Sequence, residues 1–522
     1  MTRAWLWALS GIVVAAELAL GAYMAIGNGF IYGDALSRLA NAFYVLYSRD
    51  PHLAAIGFVW NPLPSLLALP FLALYPLFPV LVTSGMIMAA ISALFAGITF
   101  FTVLGAFRHF SVPVSAAAVA CGLLFAFHPF QFWYGANGMS EAMFGCFLAI
   151  AVTYWTLWLK TDGTQSLIIA SLALGLAFLT RYEAVPFAAA LAAATWLNMQ
   201  NRRALNRKWE SAIIVLILPI AFAAGSWIWL NYTIMGDPLY FLQSAYSNQG
   251  QSEFLADNET FASLRGNPFA GLWFVLQRAG VFLLPYLAIL IHRRLATGTL
   301  RHMDLLYLTL LVWSIPLFQW VMLMLGSSYG WLRFFYYPLL VAFAWLPYEW
   351  SCAPANGAAR LGRFVPAALA LSCFLAVFIM NRPWLAPEEY TAIHFRESES
   401  QAIAEMQQRN AALLDREVFE KSESALVMTD SFNAYRIIIS SRHPGRFMNT
   451  TDRDFEIALE NPYAYQVTHI LVPPPGGLND LNAVLVRYPG IYEEELDWVE
   501  LEMTLEEGWK LFRVVAPTPG SN

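Results

Sequence analysis

Eleven apolar runs, most of them long enough to cross the hydrocarbon core of a bilayer as helices, leave few folds open to this chain. They fall at residues 5–26, 80–107, 112–128, 141–159, 166–180, 184–199, 210–231, 271–291, 304–325, 333–349 and 364–380. Lipid offers no partner to a bare N–H or C=O, so runs of this kind cross as helices that satisfy their own backbone. The expectation is a polytopic α-helical membrane protein with about 11 transmembrane helices. The first run carries Glu17 at its centre and is followed by ten more, which favours a retained signal anchor over a cleaved leader. The apolar stretch 63–78 is different, because Pro64, Pro70 and Pro76 cut it into pieces too short to span and suited to the interface.

Charge separates two regions. Residues 1–383 hold 19 Lys and Arg against 13 Asp and Glu, whereas residues 384–522 hold 11 against 23. Domains at 1–383, in the membrane, and 384–522, a small soluble α/β domain, follow from that contrast. In the second region ALVMTD (425–430), THILVP (468–473) and WKLFRVV (509–515) read as strands and Glu397–Arg409 as a polar helix. Its acidity argues against nucleic acid as a partner. None of the four cysteines lies in it, so no disulfide framework or cysteine metal site is indicated.

Orientation follows from the basic residues. With the N-terminus inside, twelve Lys and Arg, among them Arg202, Arg203, Arg207 and Lys208, fall in short cytoplasmic loops. The outer face then receives the loop after the first run, the turn HPFQFWYGANGMSE (128–141), Arg181–Glu183, the 327–333 turn and the acidic domain. A plasma or inner membrane location and an extracytoplasmic C-terminal domain are expected. The inner loops hold no Gly-rich phosphate loop, dinucleotide fingerprint or Walker pattern, so no cofactor is called for and ATP is not used directly.

Polar residues on that outer face are the candidates for chemistry. Asp34 follows the first run and could serve as a general base toward an acceptor hydroxyl, or as an ordinary cap of the helix expected over 35–47. Arg38, four residues on, shares a helix face with it and could orient the carboxylate, bind an anion or form a plain surface pair. His52 reads as a surface histidine, and Trp60 as an interfacial anchor or a platform for a sugar. Asn137, Ser140 and Glu141 sit where one run ends and the next begins; Ser140 reads as a cap, but Glu141 enters apolar sequence where a carboxylate is costly unless paired. Arg181 and Glu183 could form an ion pair, or bind phosphate and a sugar hydroxyl respectively. Arg333, among aromatics, matches phosphate geometry with its fork of donors and could equally snorkel to headgroups.

Taken together, the acid after the first run, WNPLP (60–64), GANGMSE (135–141), GLAFLTRYEAVPF (175–187) and SYGWLRFFYYPLL (328–340) resemble the GT-C glycosyltransferases. The likeness is to the bacterial protein O-mannosyltransferase and aminoarabinose-transferase group, over most of residues 1–350. It implies a GT-C-like membrane domain, a polyprenyl-phosphate sugar donor, an extracytoplasmic acceptor (lipid, glycan or protein) and Asp34 as the base of an inverting displacement. It leaves the donor phosphate to Arg333, Arg181 or Arg38, and substrate contacts to Glu141, Glu183, Asn137, His52 and Trp60. Gly33-Asp34-Ala35 holds one carboxylate where many relatives hold a pair, so a divalent metal is not indicated. The alternatives are a polymerase of lipid-linked glycan repeats and a non-catalytic lipid flippase or carrier.

Overall fold

The computed structural model describes residues 2–201, 206–247, 250–251, 259–395 and 399–515. The basic residues Arg202 and Arg203, and Glu397 at the start of the expected polar helix, lie outside the described residues. The chain forms two compact units, each assembled from three separate segments.

The first unit comprises 1–21, 89–233 and 255–394 and is helical. The eleven apolar runs are mostly helical, with breaks at 84–85 and 280–283 and a non-helical start at 112–115. Among the described residues six helices are long and apolar enough to cross a membrane: Arg3–Ala25 (α1), Met86–His109, Glu141–Thr161, Glu210–Met235, Met303–Met324 and Gly357–Met380. Two bent pairs bring the number to eight if each pair is one span. Ala116–Ala126 and Pro129–Ala136 meet at 58°, and Pro268–Ala279 and Leu284–Thr297 at 87°. Proline explains the first break: Pro129 cannot donate to the preceding turn, and the His128 ring accepts the freed Phe130 N–H at 3.3 Å. The Thr164–Phe178 helix has 15 residues, about 22 Å at 1.5 Å per residue, and is short for a span by itself.

Helix Glu141–Thr161 is the most enclosed, packing against Thr164–Phe178 and Tyr337–Cys352. Small residues allow the close approach, as expected where lipid gives helices no hydrophobic reason to associate. A side chain on Gly145 would sit 2.6 Å from Leu340 Cδ1, and one on Gly21 would sit 2.7 Å from the Ala136 carbonyl oxygen. Glu17 is fully buried with its carboxyl over Gly135, where even a methyl would lie 2.3 Å from it.

The second unit comprises 22–88, 234–254 and 395–522. It therefore joins the loop after the first run to the acidic domain, a different division from the composition boundary at 383/384. Its five-stranded sheet has the order β2-β1-β3-β5-β4, formed by β1 (Val427–Met428), β2 (Phe447–Met448), β3 (His469–Val472), β4 (Val499–Thr504) and β5 (Lys510–Val514). The first three are parallel, with Val427 opposite both Phe447 and His469; β5 runs antiparallel to β3 and β4. Sequence periodicity located β1, β3 and β5. It missed β2, two residues long, and β4, although VELEMT alternates apolar and polar residues. Met428, Met448, Ile470, Val472 and Phe512 form its core with Phe455 and Val484.

Helix α2 (Gly33–Tyr47) buries Leu36, Leu39 and Phe43 and packs against Leu63–Leu72 and the Ser431–Ser440 helix. Just beyond α2, Arg49 pairs with Asp452 at 3.0 Å and with Asp454, while Asp50 accepts from Arg453 at 2.8 Å. The charges are exchanged, Arg-Asp on one side and Asp-Arg-Asp on the other, which fixes the register of the contact.

Candidate functional site

In the first unit an ionic centre lies among aromatic side chains. The turn after helix Pro129–Ala136 needs Gly138, whose φ of +80° suits glycine, and brings Asn137, Ser140 and Glu141 together. Asn137 Oδ1 accepts the Met139 N–H at 3.0 Å, and Ser92 Oγ donates to the Met139 carbonyl at 2.9 Å, so the turn is held from two sides. Ser140 occupies the cap position of the following helix but makes no side-chain capping bond; its hydroxyl instead accepts from Arg181 at 3.2 Å.

Arg181 is the hub. Its guanidinium donates to Glu141 Oε1 at 2.5 Å and to both oxygens of Glu183, at 2.9 and 3.3 Å. The adjacent Arg181–Glu183 pair thus extends to a third group that sequence spacing did not connect. Arg333 enters from the 3₁₀ turn Leu332–Phe335; it is 6% exposed, so it does not snorkel, and its Nε lies 3.6 Å from Glu141 and 3.3 Å from Glu388. Both guanidinium groups lie near the Phe334 ring, at 5.5 and 5.4 Å from its centroid. Tyr336 donates to the Glu141 carbonyl at 3.1 Å.

Three members of this centre were not singled out from the sequence: Glu388, Glu389 and Tyr134. Glu389 is fully buried and accepts from the Tyr134 hydroxyl at 2.6 Å. In sequence Pro387-Glu388-Glu389 reads as an ordinary helix start with acids in the first turn, which it also is. The available signal was the pair of acids directly after the last apolar run.

The remaining candidates lie in the second unit. The cap position of α2 is Tyr32 rather than Asp34, and Asp34 occupies the first turn, half-buried, where the helix dipole favours a negative charge. Arg38 is 5% exposed, with its guanidinium over the Trp60 ring at 5.1 Å from the centroid. Arg38 is thus a buried cation stacked on an indole within the unit. His52 Nδ1 faces the Asp50 carbonyl at 2.6 Å and the Asp50 carboxylate at 3.6 Å. The Arg453 hydrogen bond holds the Asp50 carboxyl well below the usual carboxylate range. At the carboxyl end of β1, Asp430 is buried; burial pushes its carboxyl up, against bonds from Ala483 N–H, Phe432 N–H, Tyr246 and Thr450. Among the described residues no group of three or more His, Cys, Asp and Glu side chains is arranged to hold a metal ion.

The structure thus gathers Asn137, Glu141, Arg181, Glu183 and Arg333 in one unit, and Asp34, Arg38, His52 and Trp60 in the other. The model of the dolichyl-phosphate-mannose-protein mannosyltransferase family matches residues 73–229, the stretch that contains Asn137, Glu141, Arg181 and Glu183. Among solved structures the chain is similar to the archaeal oligosaccharyltransferase AglB from Archaeoglobus fulgidus, in complex with an inhibitory peptide and a dolichol-phosphate. The identity is 13%, the match covers 89% of this chain and 69% of that one, and the TM-score is 0.43. No curated protein matches the chain. Of the motifs behind the resemblance to GT-C membrane glycosyltransferases, GANGMSE and GLAFLTRYEAVPF lie within the residues that this family model matches.

Proposed function

We propose that this protein is an integral membrane glycosyltransferase that moves a sugar from a polyprenyl-phosphate donor to an acceptor hydroxyl on the outer side of the membrane. The observation that carries the reading is the buried centre of Arg181 and Arg333 with Glu141, set in a unit made of apolar helices. Charged groups buried among apolar helices are costly and mark functional sites by default. The family match over residues 73–229, which hold Glu141 and Arg181, points to chemistry on a lipid-linked sugar.

The chemistry needs little more than this chain provides. A phosphate monoester leaves readily once its charge is stabilised, so Arg333 and Arg181 would hold the donor phosphate, with Arg38 as a further cation. Their carboxylate partners keep the guanidinium forks in place when no phosphate is present. Asp34 would take the proton of the acceptor hydroxyl as that oxygen attacks the anomeric carbon, giving inversion. Glu141, Glu183, Asn137, His52 and Trp60 are assigned to sugar and acceptor contacts. The N-terminus and the basic loops would face the cytoplasm of a cell membrane.

The test uses the full chain in lipid nanodiscs with synthetic polyprenyl-phosphate mannose as donor and a washed cell-envelope fraction as acceptor. The expected result is transfer with release of polyprenyl phosphate. Movement of the intact donor across the bilayer without its cleavage would identify a carrier instead, and joining of lipid-linked repeats without use of this donor would identify a polymerase.

A further inference from the structure

The first unit holds a further buried cation, Arg278, in the last turn of helix Pro268–Ala279 and 8% exposed. Its guanidinium carbon sits 3.3 Å from the centre of the Phe274 ring, one turn back, so one face of the fork is covered. Phe274 reaches that place because Gly330 has no side chain; a Cβ there would meet the ring at 2.7 Å. In the plane of the fork little is satisfied. One Nη donates to the Trp384 carbonyl at 3.4 Å, and Nε is buried with no hydrogen-bond partner. Among the described residues no carboxylate comes within ion-pair distance of Arg278. Arg181, Arg293 and Arg333 each lie against two. A charge taken out of water without a partner is expensive, and a buried cation in that state calls for an anion that arrives from outside the chain.

Its neighbours place Arg278 beside the ionic centre. Phe274 lies 6.4 Å from Phe335, two residues after Arg333. Phe282, four residues after Arg278, packs at 5.0 Å on Phe130 and at 6.3 Å on Tyr336, whose hydroxyl donates to the Glu141 carbonyl. Trp384, which accepts the Nη bond, is four residues before Glu388, the partner of Arg333 at 3.3 Å. Charge then separates the three arginines. Arg181 and Arg333 face Glu141, Glu183 and Glu388, so their field is cancelled within the protein. Glu389, the next acid along, accepts from Tyr134 at 2.6 Å. Arg278 keeps in-plane donors for a ligand.

We infer that Arg278 is a direct ligand of the phosphate of the lipid-linked donor, holding it edge-on through Nε and Nη while Phe274 backs the fork. This rests on the reading of the protein as a polyprenyl-phosphate glycosyltransferase. In the step it serves, the acceptor oxygen bonds to the anomeric carbon and gives its proton to the base. The bond from that carbon to the phosphate oxygen breaks, and polyprenyl phosphate leaves with the electron pair. The phosphate goes from one negative charge to about −1.5 to −2 as it leaves. A cation that no carboxylate balances therefore holds the leaving group more tightly than the donor, which lowers the barrier to departure.

Initial rates with the full chain test this, with synthetic polyprenyl-phosphate mannose varied at a fixed level of the washed envelope fraction, in phospholipid nanodiscs and in phospholipid-free maltoside micelles. Arg278→Gln is expected to raise the donor KM and to weaken inhibition by added polyprenyl phosphate, each about tenfold or more, in both settings. Arg278→Lys keeps the charge but loses the fork, and is expected to fall between Gln and wild type. The melting temperature of Arg278→Gln is expected to equal or exceed that of wild type, because an unbalanced buried charge is removed. A large fall in melting temperature would overturn the inference in favour of a structural cation, and rescue by Glu389→Gln would name its partner. Effects present in nanodiscs and absent from micelles would identify a bilayer headgroup as the anion and overturn the assignment to the donor. Wild-type transfer with unchanged donor kinetics in Arg278→Gln would remove this inference alone, whereas no transfer by the wild type would remove the functional reading and the inference with it.

Discussion

Asp34 and Arg333 show how little a residue's type settles without its surroundings. Asp34 is not the cap of α2, so replacing it by Asn should leave the helix start intact. A general base contributes about 10²- to 10⁴-fold, and Asp34→Asn is expected to lose at least the lower figure in turnover while the protein still extracts and melts as wild type. Unchanged turnover would transfer the role to another carboxylate. The two arginines require different substitutions. Arg181 neutralises Glu141 and Glu183 together, and removing one partner of a buried pair typically costs about 3–5 kcal/mol, so Arg181→Ala should fail by instability. Arg333 makes longer contacts, at 3.3 and 3.6 Å, and Arg333→Gln should fold yet raise the donor KM about tenfold or more, since phosphate binding prefers the fork. A donor KM unaffected by Arg333→Gln would assign that arginine to structure alone.

Between elements, contact is set by glycine in one unit and by exchanged charges in the other. In the first unit the Glu17 carboxyl lies on Gly135, so Gly135→Ala is expected to cost about 1–3 kcal/mol through overpacking. Glu17→Ala should relieve part of that cost in the double variant, giving a coupling readable from melting temperatures. Additive effects would mean that the helices simply separate. In the second unit Asp50 is held ionised by Arg453, and its folded value lies below its unfolded one. The stabilisation is therefore present above the unfolded value, near pH 4, and is lost as pH falls through the folded value. The difference in melting temperature between wild type and Asp50→Asn should thus be seen at pH 7 and shrink below about pH 4. A difference that grew on acidification would contradict the sign.

At the scale of the whole molecule the expectation is orientation. With basic residues in short inner loops, a reporter fused at Gly298 should read cytoplasmic and one at Gly476 extracytoplasmic. Reversal of either would overturn the expected orientation, with the C-terminal domain on the outer side. Among the described residues six helices meet the length and composition of a span and the bent pairs raise this to eight, so the reporters also decide which of the shorter apolar helices cross.

The periodicity and composition of the chain determined by themselves that it is helical and membrane-embedded and that an acidic α/β region follows the spans. Those properties follow from solvation, which acts on each stretch of sequence separately: a run of apolar residues must be a helix in lipid whatever it packs against. Asp34, Glu141, Arg181 and Arg333 could be named for the same reason, as charges beside apolar runs. Only the tertiary structure decided how they are grouped. Glu388 and Glu389 look like helix-start acids until Arg333 and Tyr134 are seen against them, and Tyr435 has no sequence signal tying it to Gly33. The exchanged pairs at Arg49–Asp50 and Asp452–Asp454 join residues about four hundred positions apart. Long-range pairing of this kind depends on geometry that no local pattern encodes, because a hydrogen bond requires two groups to meet and the sequence lists each of them alone.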